Sequence, residues 1–171
     1  MFFSRNQGWD QNAAALLDTF QKRGGGLVYL HFAIEGGKDV KPLAERAGLV
    51  FSFSAFRHGP MDLVFNDPQH PITRGFSRLD LLDESYWKLH GDPKRLGILA
   101  TSLEDNEPRP QLWTLERNGG RVFGCIPGHY TWTFDDPLYR LFVLRGICWS
   151  ARQEDTERLS ELVTVGARLA P

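Results

Sequence analysis

Short unbroken apolar blocks alternate along this chain with segments whose apolar positions recur every three or four residues. Residues 10–23, DQNAAALLDTFQKR, carry the second pattern. Leu16, Leu17 and Phe20 fall on one face, Asp10 or Asn12 can cap the start, and basic residues gather at the end. This predicts a helix, which Gly24, Gly25 and Gly26 terminate. LVYLHFA, residues 27–33, then runs apolar except for His31. A continuous run of that length suits a parallel strand covered on both faces. Helix, tight turn and buried strand in succession indicate a layered α/β fold.

The rest of the chain extends the reading. KDVKPLAERAGLVF predicts a short helix. DLVFND predicts a strand ended by Pro68 and Pro71, and LLDESYW and RLGILATSL predict two more. EDNEPRP reads as a loop. QLWTLERNGGRVFGCIPGHY reads as a late β-hairpin turning at Gly119-Gly120. DPLYRLFVLRGICWSA reads as a helix with Pro137 in its first turn and Leu138, Leu141, Phe142 and Arg145 at helical spacing. Residues 152–171 predict a C-terminal helix with Leu159, Leu162 and Val163 on one face. With no repeat, low-complexity tract or linker, residues 1–171 read as a single domain. An open α/β sheet ordinarily begins at a central strand, whereas this chain begins with MFF and a helix. The expectation is a domain incomplete at its N-terminus, with an apolar edge at Phe2–Phe3 that invites pairing into a homo-oligomer.

Composition narrows the function classes. The chain of 171 residues is long enough for a core, and its net charge of -1 gives no electrostatic case for nucleic acid or an anionic membrane. No apolar run approaches bilayer-spanning length, and MFFSRNQGWD is too short and polar for a signal peptide. Cys125 and Cys148 form no CxxC or metal-type spacing. They read as reduced core thiols, which favours a cytoplasmic location.

The candidate chemistry lies in histidines and carboxylates. His31 stands at the carboxyl end of a predicted strand, where open α/β sheets bind ligands. An imidazole there can act as acid, base or ligand. A buried histidine bonded to a carbonyl fits the position equally well. His129 follows Gly128 in a turn that presents it to solvent. His58, in FRHGP, is a further candidate, whereas His70, between Pro68 and Pro71, suits a structural bond and His90 a solvated turn. Asp83 and Glu84 are adjacent on a strand, so only one is expected to face a cleft. Tyr86 and Trp87 beside Glu84 form an apolar neighbourhood that would raise its pKa. Tyr130 and Trp113 belong to a late aromatic cluster suited to stacking on sugar rings, or to core packing. HxxxH, HxH, GxSxG, GxGxxG and P-loop patterns are all absent. No cofactor and no local metal motif are therefore expected.

GGGLVYLHFA, HPITRGF followed by LLDESYW, LWTLERNGGRVFGCIPGHY and LRGICWSA, in that order, resemble the ThuA-like family, named for trehalose utilisation. The resemblance covers the chain to about Ala151. It implies a flavodoxin-like three-layer sandwich with a mostly parallel sheet, related to class I glutamine amidotransferases. In that wider group a cysteine occupies the strand-to-helix turn where this chain has His31, so thiol amidotransferase chemistry is not expected. The resemblance matches His129, Glu84, His58 and Trp113 to family positions.

Three functional readings follow. In the first, the protein acts on a small-molecule carbohydrate of trehalose or keto-sugar type, as a hydrolase or lyase. His31 and His129 are then acid and base, Glu84 orients one of them, and His58, Trp113 and Tyr130 line the pocket. In the second, a non-catalytic carbohydrate-binding or regulatory domain has lost the amidotransferase cysteine. In the third, His31, His58, His129 and Glu84 hold the metal of a hydrolase.

Overall fold

The computed structural model describes residues 11–37, 40–53, 55–153 and 155–161. Three helices, α1 (Gln11–Lys22), α2 (Lys41–Ala47) and α3 (Pro137–Ser150), flank six strands. The strands are β1 (Leu27–Leu30), β2 (Phe56–Phe65), β3 (Arg78–Tyr86), β4 (Gly97–Glu104), β5 (Glu107–Arg117) and β6 (Gly120–Cys125). They form one sheet in the order β1-β6-β5-β4-β2-β3.

The three layers expected from the sequence are present, but the sheet is mixed, not mostly parallel. Only β1 and β6 run parallel, with Leu27 opposite Val122. The other strand pairs among the described residues are antiparallel, and an isolated parallel bridge joins Glu35 to Phe51. For β4, β5 and β6 the cause lies in the turns. Two-residue connections join antiparallel neighbours only, since a parallel pair needs a long crossover. Asp105 and Asn106 both have positive φ, +52° and +61°, and turn the chain so that Glu104 faces Glu107. EDNEPRP is thus a hairpin turn followed by strand, not a loop. Pro108 and Pro110 lie where β5 runs beyond its pairing with β6, a stretch in which a missing N–H is tolerated. The late hairpin forms as expected, one residue earlier than its glycines suggest. Asn118 (φ +53°) and Gly119 (φ +82°) take the two left-handed positions.

Alternation along β1 builds a core on each side of the sheet. Val28 and Leu30 join Phe123, Cys125 and the α3 residue Phe142. Leu27 and Tyr29 join Val122, Trp113 and the α2 residues Leu43 and Ala47. Asp136 caps α3, accepting from the N–H groups of Leu138 and Tyr139 at 2.8 and 2.9 Å. Gly146 lets α3 approach closely, since a Cβ there would lie 2.2 Å from the Phe123 ring. α1 sits differently from its apolar pattern: Leu16 is 71% exposed and Phe20 is exposed, while Ala14 and Gln21 are buried. Asp18 sets that rotation, because it pairs with both Arg46 of α2 and Arg117 of β5.

Residues 157–161 are helical, so the expected C-terminal helix starts after residue 156, not at residue 152. Leu162, Val163 and the remainder of that segment, like the MFF segment and its expected edge, lie outside the described residues. Both cysteines are free thiols, Cys125 buried and Cys148 partly so. Among the described residues, no helix is long and apolar enough to cross a membrane.

Candidate functional site

β1 stops at His31, whose backbone is left-handed at φ +49° and begins a short 3-10 turn over His31–Ile34. A non-glycine residue held there costs on the order of 1–2 kcal/mol. The His31 side chain is fixed from both ends. Its Nδ1 lies 2.9 Å from the Ile126 carbonyl oxygen, just past β6. A carbonyl only accepts, so Nδ1 carries the hydrogen. Nε2 then presents a lone pair to Glu84 Oε2 at 3.1 Å, His129 Nδ1 at 3.0 Å and the Tyr86 hydroxyl at 3.0 Å.

The adjacent carboxylates of β3 face different surroundings. Asp83 is fully buried and holds the loop after β6. It accepts from the N–H groups of Gly128 and His129 at 3.1 and 3.0 Å, and from the Thr133 hydroxyl. This fixes the backbone from which His129 projects. Gly128, at φ +134°, is needed in that loop, since a Cβ would meet the Tyr139 hydroxyl at 2.7 Å. Glu84 is also buried, but its partners are side chains. Oε2 accepts from the Tyr86 hydroxyl at 2.8 Å and lies 3.0 Å from His129 Nδ1. Oε1 lies 3.1 Å from Nε2 of His58, the residue directly opposite Glu84 on β2.

Burial pushes the Glu84 carboxyl up, but the hydrogen bond it accepts from Tyr86 and, when the His31 ring is protonated, the one from His31 Nε2, with charge on His31 and His129, outweigh it. The net shift is downward, contrary to the rise expected from its aromatic neighbours. Burial and the adjacent Glu84 push the Tyr86 hydroxyl upward, so it keeps the proton it donates.

The three imidazoles grade from inside to outside. Side-chain exposure is 3% for His31, 30% for His129 and 46% for His58. With Nε2 of His58 donating to the carboxylate, its Nδ1 accepts from the Tyr130 hydroxyl at 2.6 Å. Tyr130 stacks on Trp132 with ring centres 4.1 Å apart and planes 12° apart, and Trp132 is half exposed. The exposed Phe53 and Phe56 stand nearby, Phe56 edge-on to His58 at 5.9 Å.

The fold therefore brings His31, His58, Glu84, His129 and Tyr130 together. Trp113, expected to line the pocket, lies elsewhere. It is fully buried in the core beside α2, donating Nε1–H to the Ala47 carbonyl at 2.7 Å and packing over Gly124. His70 is also remote. Its Nδ1 accepts from the Ile72 N–H at 3.2 Å, and burial pushes its pKa down. His90 bonds the Ser52 hydroxyl at 2.7 Å. Asp83, Tyr86 and Trp132 were not assigned to the site from sequence. The signal available was the D-E-x-Y spacing on one strand, which puts Glu84 and Tyr86 on one face and Asp83 on the other.

Residues 1–150 match a family model described as ThuA, trehalose utilisation. No curated protein matches. A putative ThuA-like protein from Parabacteroides merdae superposes with a TM-score of 0.69 at 20% identity, over 86% of this chain and 67% of that one. One from Bacteroides uniformis gives 0.69 at 15% identity, over 86% and 66%. This chain thus spans about two thirds of their length. A β-galactosidase from Bacillus circulans gives 0.57 at 14% identity, over 81% of this chain but 20% of that enzyme. At these identities the structural likeness concerns the fold, while the sequence match extends across nearly the whole chain: it belongs to the ThuA family.

Proposed function

We propose that this ThuA-family domain acts on a carbohydrate of trehalose or keto-sugar type, with proton transfer carried by the imidazole–carboxylate cluster. The observation that supports this is the convergence of three imidazoles, graded in exposure, on the single buried carboxylate of Glu84. Moving a proton at a carbon beside a carbonyl, or at a hydroxyl, needs a group that titrates near neutrality within hydrogen-bond reach. His129 is accessible and touches Glu84, so a proton taken up by its ring is met by negative charge. His31 sits behind both and lends its Nε2 to the same exchange. His58 and the Tyr130–Trp132 pair form the outer wall, where a flat aromatic face suits the C–H face of a sugar ring. The family's description points to the same substrate class.

The test is titration of the protein with trehalose and with a keto-disaccharide, followed by the imidazole NMR signals and by product analysis. The expected result is perturbation of His58 and His129 together with conversion of one sugar. Sugar binding without conversion replaces this reading with a non-catalytic carbohydrate-binding domain, favoured by His31 standing where amidotransferase relatives carry their cysteine. No perturbation by either sugar overturns both.

A further inference from the structure

We propose that His31 Nε2, His129 Nδ1 and Glu84 Oε2 together bind one divalent first-row transition-metal ion. The inference uses the cluster invoked above but does not depend on a sugar. It begins with a count of hydrogens. The Nδ1–H of His31 is committed to the Ile126 carbonyl, the Tyr86 hydroxyl to Glu84 Oε2, and the Nε2–H of His58 to Glu84 Oε1. Three atoms then remain face to face: His31 Nε2, His129 Nδ1 and Glu84 Oε2, at 3.0, 3.0 and 3.1 Å from one another. If both rings are neutral, at most one hydrogen, on His129, serves all three. The His31 lone pair then lies directly against a carboxylate oxygen. Among the described residues the ion-pair partners of Glu84 are histidines, with no Lys or Arg to supply fixed positive charge. The triangle calls for a cation at its centre, and a metal ion competes with a proton for that place.

Geometry and donor type favour the metal. A cation about 2.1 Å from each atom, the usual metal–imidazole distance, fits just off the plane of a triangle with 3 Å sides. It would see its three ligands at near right angles. Two imidazoles and one carboxylate on a single face of the ion form the facial arrangement, which leaves coordination positions open. The outer partners are also in place. Ligating histidines usually donate their second ring N–H to a carbonyl or carboxylate, as His31 does to Ile126. Both oxygens of Glu84 are hydrogen-bonded, to Tyr86 and His58, which orients the carboxylate. Asp83 fixes the His129 backbone. The ligands come from the turn after β1, from β3 and from the loop after β6, which is why no short motif announces them.

The experiment is titration of the chelator-treated full chain with Co2+, followed by calorimetry and visible absorption. One ion per chain is expected. His129→Ala, which removes an accessible side chain, should weaken binding by at least about 100-fold, beyond the 10- to 100-fold typical of an outer-shell loss. Tyr86→Phe, which keeps every ligand, should weaken it by about 10-fold or more. Unchanged circular dichroism shows that the variants are folded. Binding no tighter in the parent protein than in His129→Ala overturns the proposal and leaves a proton as the cation. Sugar titration of the metal-free protein keeps the two readings apart. Sugar binding without Co2+ binding removes the metal alone, and Co2+ binding without any sugar response removes the carbohydrate reading alone.

Discussion

Two carboxylates in this molecule each gather basic side chains from distant parts of the chain, and they do it with different cations. Asp18 on α1 draws in Arg46 from α2 and Arg117 from β5. Glu84 on β3 draws in His31, His58 and His129. A guanidinium keeps its proton at any pH a folded protein meets, so the Asp18 group is a fixed staple between helix and sheet. An imidazole can carry a proton or give it up to a base or a metal, so on the readings proposed above the Glu84 group exchanges protons, or exchanges one for a metal. The two clusters share a pattern, one carboxylate gathering distant bases, and differ in the base: guanidinium at Asp18, imidazole at Glu84.

That contrast can be broken at several points. The largest effect is expected from His129→Ala. If a sugar is turned over, the rate should fall by roughly 10²- to 10⁴-fold, the usual contribution of a positioned acid or base, with the melting temperature nearly unchanged. A comparable loss of stability in this variant would make His129 a staple as well. Next comes Asp83→Ala, which strips the partner from the Gly128 and His129 N–H groups and from the Thr133 hydroxyl. Leaving such groups buried and unpaired costs about 1–3 kcal/mol, so denaturant unfolding should shift while His129 also loses its position. Asp18→Asn should reduce stability by about 1 kcal/mol, the scale of a partly exposed ion pair, and leave sugar or Co2+ titrations untouched. A changed titration there would show that the two clusters communicate.

The smallest effect is a pH dependence. Hydrogen bonding from Arg46 lowers the Asp18 carboxyl below its ordinary 3.8, partly opposed by burial, with Arg117 adding to the lowering. A depressed folded value means that the stabilisation is present above the unfolded carboxylate range. It fades as the pH falls below about 4 through the folded value. Equilibrium unfolding of the parent protein and of Asp18→Asn should therefore converge on acidification. Curves that stay parallel would deny the pairing.

How much of this was legible in the sequence follows from where each signal resides. The strand before His31, the late hairpin and the Pro137 helix announce themselves locally, through an apolar run, a glycine pair and a first-turn proline. The antiparallel side of the sheet was hidden because Asp105-Asn106 turns the chain without a glycine, and EPRP reads as loop until β4 is seen beside it. The helix expected over residues 10–23 is found as α1, Gln11–Lys22, but turned to a different face. The partners of Asp18 lie 28 and 99 positions away, and no local pattern records them. At the site, His31 was legible as an imidazole at a strand end and His129 as one in a glycine turn, while Glu84, on a predicted strand, and His58 were singled out with the help of the family resemblance. Trp113 was misread because an aromatic beside a glycine turn looks the same whether it faces a sugar or, as here, packs on Gly124 in the core. Asp83 was overlooked because its task exists only once the 128–133 loop is laid against β3.

The left-handed backbone at residue 31 also bears on how such a domain can change over evolutionary time. That conformation admits Gly readily, Asn, Asp and His tolerably, and β-branched residues poorly. The set of residues that can succeed His31 without straining this turn is therefore short, and none of its members carries an imidazole. On the proposed reading, one or two base changes would silence the chemistry and leave a sound scaffold behind. Most other replacements threaten the fold before selection on activity has any say. A lineage carrying this turn thus has two accessible states, with the ring or without it, and few steps between them.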